Sequence, residues 1–185
     1  LYFPQVAVFG GFETSLGVVN NSSSAVVLDI RFFDPSGVLV ADATAPLNPG
    51  SILVEDLAAL LSLTGTDLLQ GWLKVESTLP AITGFLTYAI PDSGSAATVT
   101  PASLGLSKVI FSHLATGEGF FTGVALLNPG QLAANVRIMA MEETGSAVIL
   151  GSTNTLLRPG ERISKLITEL AVDAGDKVKG FIFFR

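Results

Sequence analysis

Phe3-Pro4-Gln5 is echoed by Phe111-Ser112-His113, a spacing of 108 residues. The same spacing sets Gly11-Phe12 on Gly119-Phe120, Thr14 on Thr122, Asn20 on Asn128, Ile30 on Ile138 and Gly37 on Gly145. No gap is needed from Phe3 to Gly37. Further along, Leu47-Asn48-Pro49-Gly50 matches Leu157-Arg158-Pro159-Gly160, and Gly71-Trp72 matches Gly180-Phe181. The identities fall on turn glycines, prolines and aromatics, the residues that set backbone path and core volume. A self-similar sequence folds as one unit written twice. We therefore expect a first unit at 1–92, a linker at 93–107 rich in Ser, Ala, Gly, Thr and Pro, and a second unit at 108–185.

Each copy reads as short strands. In Val27-Leu28-Asp29-Ile30-Arg31-Phe32, Leu28, Ile30 and Phe32 share one face and Asp29 and Arg31 the other, the period of a half-buried strand. Val136 to Ala140 repeats that pattern. Asp34-Pro35-Ser36-Gly37 is a turn between strands, with Glu142 to Gly145 in the same place. Pro49-Gly50 and Pro159-Gly160 each lead to a strand and then a short helix, expected over Glu55–Leu61 and Lys165–Ala171. Many short strands with Gly/Pro turns and no long helical pattern predict an all-β fold: two tandem immunoglobulin-like β-sandwiches with short helical turns.

The copies end differently. The first runs on past Glu76 into Ile82 to Ile90, a clear strand, whereas the second stops at Arg185 near the counterpart of Glu76. The alternative alignment of Gly180-Phe181 on Gly84-Phe85 drops the Trp72 strand instead. Either way the second copy is one strand short. A missing strand leaves unpaired backbone groups and an apolar groove that another chain can fill. The apolar segment Leu1, Tyr2, Phe3, Val6, Val8 and Phe9 is the candidate donor, and Phe181, Ile182, Phe183 and Phe184 form the candidate acceptor edge.

The run Phe3-Pro4-Gln5, Gly10-Gly11-Phe12-Glu13-Thr14, Val18-Val19-Asn20 and Arg31-Phe32-Phe33-Asp34-Pro35-Ser36-Gly37 resembles a tandem repeat of secreted bacterial proteins. Pro49-Gly50 and Gly71-Trp72-Leu73-Lys74-Val75-Glu76-Ser77 continue the resemblance through nearly all of the first copy. The second copy matches more loosely, with Glu118 where glycine is expected and Ala140-Met141 in place of Phe32-Phe33. The resemblance implies a β-sandwich in exported, repetitive cell-surface proteins. It transfers no catalytic residue.

Composition narrows the function. Ten Lys and Arg against 16 Asp and Glu give a net charge of −6, which argues against nucleic acid. One His and no Cys exclude thiol chemistry and Cys-built zinc sites. Hydrophobic residues make up 49%, yet no stretch reaches the about 20 apolar residues of a membrane helix. No catalytic, cofactor or metal site is expected, and the chain is read as no enzyme. His113 aligns with Gln5, and Asp173 and Asp176 fit no calcium-loop spacing. Asn20 and Asn21 each open an N-x-S pattern and are the candidate glycosylation sites. Trp72, Tyr88 and Tyr2 are weighed as a sugar-stacking platform against core packing. The reading is an extracellular or cell-surface structural protein whose partner is itself, in a head-to-tail homo-polymer. The alternative is a glycan- or surface-binding module of a larger secreted protein.

Overall fold

A computed structural model describes residues 1–117, 119–142, 149–170 and 178–184. The chain divides into two compact units, Leu1–Leu104 and Gly105–Arg185. The protein is all-β.

The first unit contains β1 (Tyr2–Val8), β2 (Glu13–Asn20), β3 (Val26–Phe33), β4 (Leu39–Leu47), β5 (Ile52–Asp56), α1 (Leu57–Leu60), β6 (Leu69–Ser77), β7 (Ile82–Ile90) and β8 (Ser95–Val99). Two four-stranded antiparallel sheets form, in the orders β1-β6-β3-β4 and β5-β2-β7-β8. Alternation dictates what they bury. Val26, Leu28, Ile30 and Phe32 of β3 point inward and meet Phe3, Val6 and Val8 of β1, Leu16 and Val18 of β2 and Leu86 of β7 in one core. On the outer face Arg31 pairs with Asp29, and Lys74 Nζ lies 2.8 Å from Glu76 Oε2. That contact with Lys74 holds the Glu76 carboxyl below its ordinary value.

The architecture is a sandwich, but its strand order is not that of a constant-type immunoglobulin domain. There the first and second strands are neighbours, whereas here β1 pairs with β6 and β2 lies in the other sheet. The expected linker 93–107 also changes character. Pro91–Ser93 makes a 3-10 turn closed by Gly94 in the left-handed region, and Ser95–Val99 folds back on β7 as β8. Ala102 then bridges to Tyr2 of β1. A Pro-Asp-Ser-Gly turn followed by small and β-branched residues favours a hairpin over a free linker.

The second unit contains β9 (Val109–Thr116), β10 (Gly123–Leu127), β11 (Ala134–Glu142), β12 (Ile149–Leu157), β13 (Arg162–Leu166), α2 (Ile167–Leu170) and β14 (Val178–Phe184). Its sheets are ordered β12-β11-β14-β9 and β10-β13. Leu114, Val124, Ile138, Ala140, Ile167, Leu170, Ile182 and Phe184 form its core.

The two units repeat hydrogen bonds as well as strands. Thr14 Oγ1 donates to the Ala7 carbonyl, and Thr122 Oγ1 donates to the Ala115 carbonyl. Asn20 Nδ2 reaches the Ser24 and Leu47 carbonyls at 2.8 and 3.1 Å; Asn128 Nδ2 reaches those of Leu132 and Leu157 at 2.8 and 3.0 Å. β1 and β9 share a bulge between Phe3 and Val6 and between Phe111 and Leu114. The turn before β2 also recurs. Phe9 adopts φ 61°, and its counterpart Gly117 takes φ 84° without a side chain to strain.

The β3–β4 turn is set by Asp34. Its Oδ1 accepts from Ser36 N, Ser36 Oγ and Val38 N at 2.8, 2.7 and 2.9 Å. The Ser36 hydroxyl, ahead of the backbone donors, holds this carboxyl below its ordinary value. A carboxyl depressed by folding contributes stability above its unfolded pKa of about 3.9 and loses it as pH falls through the folded value. Asp34→Ala is expected to cost the first unit about 1 kcal/mol at pH 7. Its deficit relative to wild type should shrink as pH falls below that unfolded value. Urea melts at pH 7 and pH 3 check this, and an equal deficit at both would contradict it.

Candidate functional site

The two alignments left open by the sequence are separated by strand order. β6 lies between β1 and β3, and β14 lies between β9 and β11. β14 is therefore the counterpart of β6, in matching register: Phe3 stands opposite Leu73, and Phe111 opposite Ile182. Among the described residues, β7 and β8 have no counterpart in the second unit. In the first unit β2 is paired on both sides, by β5 and β7. In the second unit β10 pairs with β13 and, among the described residues, with nothing on its other side.

The consequences fall where β7 would lie. Phe3 is 1% exposed, whereas Phe111 is 47% exposed. In the first unit β7 covers that ring: a Cβ added to Gly84 would sit 3.7 Å from Phe3 Cζ. Val18 and Thr14 are buried, while their counterparts Leu126 and Thr122 are half-buried. Positions facing away from the gap are unaffected, since Val6 and Leu114 are both buried. Phe111 keeps an edge-to-face contact with Phe184 at 5.4 Å, so part of the ring is held and part is open. Phe120 and Phe121, in the turn leading to β10, are 70% and 77% exposed.

The backbone of β10 is also oriented. Asn128 N donates to the Glu161 carbonyl at 3.0 Å, on the β13 side. Successive residues of a strand direct their N–H and C=O groups to opposite sides. Gly123, Ala125 and Leu127 thus turn theirs to the open edge. Natural sheet edges carry lysine, proline or a covering segment. Gly123-Val124-Ala125-Leu126-Leu127 carries neither lysine nor proline. β8 is likewise an edge strand, exposed throughout, and Ser95 to Val99 is uncharged.

This site is not where the sequence placed it. Phe181, Ile182, Phe183 and Phe184 do not form an edge, because β14 is paired on both sides. The place equivalent to that of β7 lies in the other sheet, beside β10. Leu1, Tyr2, Phe3, Val6, Val8 and Phe9 do not form a free donor. Tyr2–Val8 is β1, paired to β6, with Phe3, Val6 and Val8 fully inside the first core. Leu1 and Phe9 pack against that core. An apolar terminal stretch looks the same in sequence whether it donates outward or folds into its own sheet.

Other candidates resolve individually. Asn20 is buried, and its Nδ2 is engaged by three carbonyls, so no glycan can be attached there. Asn21 is exposed. Trp72 is buried and stacks on Phe33 with ring centroids 4.1 Å apart. Tyr88 Oη donates to the Gln5 carbonyl, and Lys74 Nζ lies 5.9 Å from the Tyr2 ring centre. His113 is exposed at the β9 bulge. Asp173 and Asp176 lie outside the described residues. Among the described residues no group of His, Asp and Glu could hold a metal ion, and no helix is long and apolar enough to cross a membrane.

No protein-family description and no curated protein matches this chain. Among solved structures, it is similar to the Thermotoga maritima protein 1070. The two are 16% identical with a TM-score of 0.45, over 55% of this chain and 90% of that one.

Proposed function

We propose that this chain is a non-enzymatic structural protein of an extracellular or cell-surface assembly, and that its subunits join by β-strand pairing at β10. The observation that carries the reading is the uncharged edge of β10, unpaired among the described residues, beside the half-exposed Phe111, where the first unit has a fully covered Phe3. The resemblance to secreted tandem repeats supports export. The exposed edge of β8 in a neighbouring copy is the complementary surface. The two edges are different patches, so their pairing is heterologous and propagates head to tail as a filament. Apolar burial of about 25 cal/mol per Å² across an interface of about 1,600 Å² is sufficient to hold such a contact.

Sedimentation and electron microscopy of the purified chain test this. Wild type is expected to form concentration-dependent polymers. Ala125→Pro removes a donor on the open edge while leaving the β13 ladder intact. It should be monomeric with an unchanged far-UV spectrum. Ala97→Lys, on the β8 edge, should block assembly independently. A wild-type chain that remains monomeric at high concentration would falsify the filament.

A further inference from the structure

The two units have diverged in charge. Leu1–Leu104 holds two of the ten Lys and Arg and nine of the 16 Asp and Glu, a net charge of −7. Gly105–Arg185 holds the other eight and seven, a net charge of +1. The divergence reverses a sign on one pair of equivalent strands. β5 reads Ile52-Leu53-Val54-Glu55-Asp56 and β13 reads Arg162-Ile163-Ser164-Lys165-Leu166, so Glu55 in the first unit stands where Lys165 stands in the second. Among the described residues each strand pairs on one side only, β5 with β2 and β13 with β10. For β5 this holds although β6, β7 and β8 all follow it and lie elsewhere, so an open side here is a property of the repeat itself.

Glu55 lies opposite Leu16 and Lys165 opposite Val124, both of them core residues, and opposite residues share a face. Each charge therefore sits on the core-facing side of an edge strand, at its exposed rim. Neither enters an ion pair among the described residues. An inward charge of this kind guards an edge, because a strand laid alongside would cover it and strip its water. A strand that brings the opposite charge to the same place offsets that cost. The two guards have opposite signs, so each disfavours other strands and admits the other unit's edge.

The backbones fit the same pairing. Asn20 N donates to the Ser51 carbonyl at 3.0 Å, and Asn128 N to that of Glu161 at 3.0 Å. Alternation from those points turns the N–H and C=O groups of Val54 and Ser164 away from β2 and β10, to the open sides. The Glu169 carboxylate holds Leu166 N at 2.7 Å, so pairing centres on Ser164. Set antiparallel with Val54 opposite Ser164, the two five-residue strands overlap throughout. Ile52 then meets Leu166, 54% and 41% exposed. Glu55 and Lys165 become diagonal neighbours on the inner face, about 7–8 Å apart and within reach of each other's long side chains. We infer that the β5 edge of one copy of this chain receives the β13 edge of a second copy, and that Glu55 and Lys165 select this pairing. Edges of this length fall well below an ordinary interface of about 1,600 Å². The contact therefore orders copies that are already held close rather than joining them by itself, and it needs nothing from β10.

The chain has no cysteine, so single cysteines can report the contact. Val54→Cys and Ser164→Cys, both at exposed positions, are made separately in the full chain carrying Ala125→Pro, mixed in equal amounts and oxidised. Opposite residues of a hydrogen-bonded pair have Cα atoms about 5.5 Å apart, a span that a disulfide closes. At low salt the mixed dimer is expected to form about fivefold faster than either single-variant dimer. Most of that advantage should vanish in 1 M salt, as screening shortens the reach of the charges. Adding Glu55→Lys to the first protein, or Lys165→Glu to the second, should abolish it, and both reversals together should restore it. A mixed dimer that forms no faster than the others, or a double reversal that fails to restore it, would overturn the inference. Repeating the mixture with Ala125 in place separates this contact from the one at β10. A rate unchanged by Ala125 would count against the filament and leave this pairing standing. A faster rate that ignores both charge reversals would do the opposite.

Discussion

Phe3→Ala is expected to lower the stability of the first unit by about 3–5 kcal/mol, and Phe111→Ala to lower that of the second by about 1 kcal/mol or less. The residues occupy the same place in the repeat, opposite Leu73 and Ile182 respectively. They differ in cover alone. Removing the Phe3 ring leaves a cavity walled by β1, β6 and β7, and the lost contacts add to the lost burial. Removing the Phe111 ring takes away a group that is already 47% exposed, so water replaces much of it. The two units can be followed separately. The one Trp and both Tyr residues are Trp72, Tyr2 and Tyr88, all in the first unit. Intrinsic fluorescence therefore reports that unit, while hydrogen exchange at β11 and β14 reports the other. Equal losses in the two variants would mean that Phe111 is covered in solution.

Asn20→Ala is expected to cost about 3 kcal/mol, with Asn128→Ala similar in its own unit. Asn20 is buried, and its amide donates to the carbonyls of Ser24, Leu47 and Asn48 while its Oδ1 accepts from Ser22 N and Oγ. It ties the end of β2 to the end of β4 and the β4–β5 turn. Alanine removes all five bonds and leaves the buried Leu47 carbonyl without this donor, which costs more than that hydrogen bond itself contributes. In a unit of this size the expected fall in Tm is about 15 °C. Thermal melts followed by Trp72 emission measure it. A fall of only a few degrees would show that water replaces the amide, and that the turn is not anchored through this side chain.

The sequence carried a good deal of this without coordinates. The spacing of 108 residues pointed to the second unit, and alternation in Val27–Phe32 named a core face, Leu28, Ile30 and Phe32, that is buried as read. Such signals are local, since a strand's inward positions follow from its period of two. The second copy reads as one strand short, whereas two strands of the first unit, β7 and β8, have no counterpart among the described residues of the second. What could not be read was which edge the shortfall opens. Apart from the hairpins β3–β4, β7–β8 and β11–β12, strands consecutive in the chain lie in different sheets, so chain order does not give neighbour order. β14 ends the sequence yet sits mid-sheet, and β10 lies far from the end yet is open. β8 escaped notice because small residues carry little hydrophobic pattern.

Repetition and strand period were therefore determined by the amino-acid sequence alone, because each depends on residues near one another along the chain. The tertiary structure decided that β1 belongs to its own sheet, that Asn20 is a buried clamp, and that the exposed edge is β10. Those outcomes depend on which strands become neighbours, and pairing is selected by the burial of whole faces rather than by any short stretch.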